Sequence, residues 1–138
     1  MKYMILTYGS QQDYDGMSGK SGSAVWTPEA FEAMGAFMAE FNRQLEESGE
    51  LVETRGLVDP VHTRRVRLQN GIPVSTDGPY AETEEVLAGY WIVDVANFDR
   101  ATELGARLSE CPAPEGVAAT AYADVRPIAE QREDLSPE

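Results

Sequence analysis

Asp77 stands at the head of a tight turn, Asp77-Gly78-Pro79. A carboxylate there can accept hydrogen bonds from the backbone amides of the turn, a purely structural duty. If it faces a dry pocket instead, its proton affinity rises until it can exchange a proton with a substrate. His62 is the single histidine of the chain and its one side chain with an ordinary pKa near neutrality. In the run Val61 to Gln69, alternation sets His62 and Arg64 on the face that carries Val66 and Leu68. That face is expected to point inward, which would make a pocket wall of its polar residues, but both sit near a strand end, and for His62 a place at the surface is the favoured reading. The arginines Arg55, Arg64, Arg65, Arg67 and Arg126 stand out because the chain has 11 basic residues against 24 acidic ones. Two converging guanidinium groups, with Arg55 or Arg64 among them, would clamp a carboxylate or phosphate, whereas each taken alone pairs with a nearby acid. Tyr80, Tyr90 and Trp91 offer a wall and hydroxyls for an aromatic or acidic ligand, or serve as core and interface.

The residues that are missing narrow the chemistry further. One His and one Cys cannot build a zinc site. The sequence has no glycine-rich phosphate loop, nucleophile elbow or dinucleotide fingerprint. Cys111, beside Pro112 and without a basic neighbour, carries no sign of an activated thiolate. Any reaction is therefore expected to be acid–base work without metal or cofactor, with Asp77 as the acid–base and His62 as its assistant.

Elements must hold these groups in place. Lys2 to Tyr8 reads as a first strand, too short for a signal peptide. Gly9 to Val25 has no apolar period and reads as a long mobile loop, a lid. A helix follows: Thr27 is a good N-cap, Pro28 suits the first position, and Glu29 complements the dipole. Phe31, Met34, Phe37, Met38, Phe41 and Leu45 recur at helical spacing, and Gly49 closes the helix. Leu51 to Val58 reads as a strand. Val61 to Gln69 and Ile72 to Ser75 form a hairpin about Asn70-Gly71, its second arm confined to an edge by Pro73. Gly89 to Val95 is the most apolar strand, Asn97 caps a second helix, and a last strand runs from about Val117 to Ile128.

The order is β-α-β, a hairpin insertion, then β-α-β, which is the split βαβ plan of an α+β, ferredoxin-like domain with two helices on one sheet face. Residues 1–129 form this single domain, and 130–138 a charged, disordered tail. The second sheet face is too apolar for water, so a homodimer is expected. The net charge of −13 repels phosphate backbones and anionic lipid, which makes nucleic acid and membrane surface poor partners. The absence of any disulfide framework fits the cytoplasm.

The stretch from Val74 through Asp77-Gly78-Pro79-Tyr80 to Glu85, with Gly89-Tyr90-Trp91 after it, resembles the DGPF-motif branch of the YCII-related proteins. Met1 to Met4, Gly56-Leu57 and Val125-Arg126-Pro127 resemble the family too. The resemblance implies a ferredoxin-like fold that pairs into a dimeric α+β barrel. Relatives of YCII type include a dehydrochlorinase with a histidine and an aspartate proposed as acid–base residues. That histidine lies on the first helix, where this chain has none, so the pair does not carry over. Tyr80 replaces the usual phenylalanine. Genes of DGPF proteins often accompany those of extracytoplasmic-function sigma factors. Two readings stand side by side. One is a barrel that binds a small aromatic or carboxylate molecule between sheet and helices, with elimination or isomerisation as its chemistry. The other is a non-enzymatic accessory protein linked to sigma-factor systems.

Overall fold

The computed structural model describes residues 1–19, 26–118 and 120–136. Two antiparallel sheets organise it. The larger is built from β1 (Lys2–Gly9), β2 (Leu51–Gly56), β5 (Val86–Asp94) and β6 (Ala123–Pro127) in the order β2-β5-β1-β6. The smaller is the hairpin of β3 (Arg64–Gln69) and β4 (Ile72–Asp77). With α2 (Pro28–Ser48) between β1 and β2 and α3 (Phe98–Leu108) between β5 and β6, this is the ferredoxin-like α+β fold expected from the element order.

Alternation decides what the sheet buries. Register sets Ile5 opposite Trp91 and Tyr3 opposite Val93, so these four share a face. The helices cover it with Phe41 and Leu45 from α2 and Ala101, Leu104 and Leu108 from α3, giving one continuous buried core. Thr27 caps α2 as its sequence predicts, accepting from the Ala30 amide at 3.1 Å. Gly49 ends it in the left-handed region. The far end of the predicted apolar stripe is looser: Phe31 is exposed, and Met34 and Met38 are half-buried. Gly89 lets β2 come close, since a Cβ there would stand 3.1 Å from the Arg55 carbonyl oxygen.

The opposite sheet face carries Met4 and Leu6 of β1 beside Ile92 and Tyr90 of β5. None of these belongs to the core beneath the helices.

Three expectations are corrected. Gln11–Ser18 is a helix, α1, rather than loop. Ser10 and Asp13 form a reciprocal capping box, with Ser10 Oγ accepting from the Asp13 amide at 3.1 Å and Asp13 Oδ2 from the Ser10 amide at 2.9 Å. Polar bonds tether it: the Gln12 amide donates to Glu82 O at 3.0 Å and the Tyr14 hydroxyl to Leu57 O at 2.9 Å. The remainder of the expected lid, 20–25, lies outside the described residues. The last strand is shorter than expected, because Pro114 starts a turn of helix, α4 (Glu115–Ala118), before β6. His62 is not in a strand: Pro60 opens a 3-10 turn, Pro60–His62. The hairpin turn itself is as predicted, with Asn70 at φ 53° and Gly71 at φ 78°, both positive as the tight two-residue turn requires. A 3-10 turn at Arg132–Leu135 follows the sheet. Among the described residues, no helix is long and apolar enough to cross a membrane.

Candidate functional site

At the end of the sheet where β1 leaves and β5 enters, the helices no longer close on the strands. A cavity of about 670 Å³ lies there. Its floor is Thr7, Gly89, Trp91, Thr54 and Ala123 on the inward sheet face. Met34, Met38 and Asn42 of α2 line one side, Asp13, Tyr14 and Met17 of α1 another, and Leu108, Cys111, Val117 and Tyr122 a third. Trp26 lies against α1, where a Cβ on Gly16 would meet its ring at 3.4 Å. Both tryptophans of the chain therefore line one cavity.

The lining is largely apolar, and its polar groups are individually fixed. Trp91 Nε1 donates to Asn42 Oδ1 at 2.7 Å, which orients the Asn42 amide at the cavity wall. Phe41 stands edge-on to Trp91, ring centroids 5.8 Å apart, and braces it from behind. Thr7 and Thr54 spend their hydroxyl protons on the Gly89 and Tyr90 carbonyls at 3.2 and 2.9 Å. Tyr8 and Tyr122 stack with centroids 5.3 Å apart. The Tyr8 hydroxyl donates to Asp124 Oδ2 at 2.7 Å, and this bond, with burial and the aspartate charge, pushes its pKa up to about 12. The Tyr122 hydroxyl donates to Glu85 Oε2 at 3.3 Å. Burial raises Tyr14 above the ordinary tyrosine value, helped by the Asp59 charge. Burial likewise raises the Cys111 thiol in the cavity wall.

The residues singled out by sequence are dispersed. Of the proposed ligand-contacting residues, Arg55 and Trp91 line the cavity. The Arg55 guanidinium lies along its own strand, donating to Thr54 O at 2.9 Å with Glu53 3.7 Å away. Tyr90 belongs to the opposite sheet face and donates to Glu53 Oε2 at 2.8 Å. Asp77 caps no backbone amide; it accepts from Arg64 Nε at 3.0 Å, with both side chains mostly exposed (79% and 68%). The face of Val66 and Leu68, expected to point inward, is open, since every residue of β3 is exposed. The reason is topological: the hairpin is a two-stranded sheet separate from the four-stranded one on which the helices pack. His62 pairs through Nδ1 with Asp59. Tyr80 lies under Arg65, whose guanidinium carbon is 5.3 Å from its ring centroid.

A smaller groove of about 390 Å³ runs between α2 and α3, past Gln44, Glu47, Glu50, Arg100 and Arg107. Its charges already answer one another. Arg100 donates twice to Glu50 at 2.9 Å, and Arg107 donates to Gln44 and lies over Phe41. It offers a ligand little. Among the described residues, no cluster of His, Cys, Asp and Glu is arranged to hold a metal ion.

The model of the YCII-related domain matches residues 1–128, nearly the whole chain. The chain belongs to the YCII-related family. An uncharacterised protein of Rhizobium meliloti (strain 1021) is 29% identical over 129 residues, covering 94% of this chain and 93% of the relative. The shared length takes in every strand, so the cavity end of the sheet lies within the family domain.

Sequence reasoning placed a pocket between sheet and helices but missed most of its lining, which comes from five separated segments, none with a motif of its own. One usable signal was present: Ser10 and Asp13 have the spacing of a capping box, which turns the supposed lid into a wall.

Proposed function

We propose that this YCII-related chain binds a small, mainly apolar organic molecule in the cavity between sheet and helices, and does so as a homodimer. The cavity carries the reading. Its volume is that of a small-molecule site, and a few oriented polar groups stand in an apolar wall, the usual composition of such sites. Met17, Met34 and Met38 can repack around aromatic ligands of different shape. Cofactor-free elimination or isomerisation has weaker support than binding. Asp77 and His62 sit outside the cavity wall, each paired with a neighbour. The Asp77-Gly78-Pro79-Tyr80 turn supports membership of the DGPF branch.

Binding is tested by titrating aromatic compounds while following tryptophan emission, since Trp26 and Trp91 both report on the site. A ligand at a hundred times its Kd should stabilise the fold by about 2.7 kcal/mol. Met38→Trp, which fills the cavity, should abolish both signals, while Leu68→Ala on the hairpin should keep them. A library that moves neither emission nor melting temperature would sink the reading.

The homodimer rests on the sheet face of Met4, Leu6 and Ile92, which lies outside the core beneath the helices. A second copy would bring the same apolar face to it, closing a two-sheet core. Light scattering should give about twice the chain mass of 15.2 kDa, and Leu6→Glu should return it to one. A monomeric native chain at micromolar concentration overturns this part.

A further inference from the structure

The cavity also selects the charge of its ligand, an inference that rests on the binding reading above. Two ionisable carboxylates line it, Asp13 and Glu85. The only basic side chain among its described lining residues is Arg55, whose guanidinium is engaged along its own strand by Thr54 and Glu53. Among the described lining residues no second basic side chain stands beside it to clamp an anion.

The aromatic lining points the same way. The faces of Tyr and Trp rings are the negative end of their quadrupoles and attract cations. Tyr8 and Tyr122 stack, and each donates its hydroxyl proton to a carboxylate, Asp124 and Glu85 respectively. That donation leaves the phenol rings richer in electrons. It also binds ring pair and carboxylate into a single patch at the cavity edge. Around it lies a chain of net charge −13, whose field raises the local concentration of cations and lowers that of anions.

We infer that the cavity takes an organic cation, a hydrophobic amine or quaternary ammonium, with its charge beside Glu85 and the Tyr8–Tyr122 pair and its apolar body toward Met38 and Trp91. A carboxylate of the same shape would meet two like charges, Asp13 and Glu85.

The test uses three compounds of matched length: 4-phenylbutylamine, 4-phenylbutanol and 5-phenylvalerate. Each is titrated into the full chain at pH 7 and low salt, with tryptophan emission and calorimetry as readouts. The amine should bind about fivefold more tightly than the alcohol, the size of a cation–π contact at an exposed site, and the valerate more weakly than either. Glu85→Gln should weaken the amine severalfold and leave the alcohol unchanged. Tyr122→Leu should weaken the amine more than the alcohol. Valerate binding as tightly as the amine, or an amine affinity indifferent to Glu85→Gln, overturns the charge selection while the cavity reading stands. If none of the three binds, both fall.

Discussion

The hairpin and the cavity carry similar residue types under opposite conditions. On the hairpin side, Asp77, Arg64, Arg65 and Tyr80 settle their charges and rings on one another. At the cavity, Asp13, Tyr8 and Tyr14 are half-buried in a lining that also holds methionines and tryptophans, fixed by a helix cap, strand pairing and hydrogen bonds. An exposed pair is worth little because water and salt screen it. A polar group set in an apolar wall keeps its influence on whatever enters. Enclosure, rather than the rarity of a residue type, separates the two regions.

The sharpest contrast lies in packing. Leu104 is fully buried in the core beneath the helices, and Leu104→Ala should cost about 2–5 kcal/mol in urea denaturation. Leu68 on the hairpin is 71% exposed, and Leu68→Ala should stay within about 0.5 kcal/mol. A comparable loss at Leu68 would show that the hairpin is covered in solution and would erase the contrast.

The second contrast is read by pH. Tyr8 is held neutral up to about 12, so its folded pKa lies above the ordinary value of 10.0. A group raised in this way stabilises the fold below its unfolded pKa, and that contribution is lost as pH climbs from there through the folded pKa. Absorbance titration should show one tyrosine ionising near 12, and Tyr8→Phe should remove both that step and its share of the stability lost between pH 10 and 12. A Tyr8 that ionises like a free phenol would break the Asp124 hydrogen bond from the description.

The smallest effect belongs to Asp77. Its one partner is the exposed Arg64, so Asp77→Asn and Asp77→Ala should both change stability by less than about 0.5 kcal/mol. If Asn were neutral while Ala cost a full 1 kcal/mol, the loss of a capped backbone amide would be the cause.

The same difference explains what the sequence made legible. Thr27, Pro28 and Gly49 mark α2 because capping is local, and Asn70-Gly71 marks the hairpin because few other residues tolerate two positive φ angles. The element order then gives the fold. Even the fate of Asp77 was within reach, for a two-residue turn at Asn70-Gly71 pairs Gln69 with Ile72 and hence Arg64 with Asp77. The inward direction assigned to the face of Val66 and Leu68 failed because alternation tells which residues share a face, not whether anything covers it. The lining of the cavity was not legible, since Thr7, Met38, Glu85 and Tyr122 come to one site only when the sheet assembles. Helix α1 was obscured because it is tethered through polar bonds and shows no apolar stripe.

Cys111 gives the cavity a covalent address. It is the single thiol of the chain, half-buried in the cavity wall. Its protonated form is favoured by burial, so indiscriminate alkylation near neutral pH is slow. Disulfide exchange run to equilibrium ranks reagents by the stability of the mixed disulfide rather than by rate. Small disulfide-bearing fragments offered in competition would then be retained according to how well their bodies fit the space beside the sulfur. The mass of the intact chain would read out the shape preference of the cavity directly, one fragment at a time.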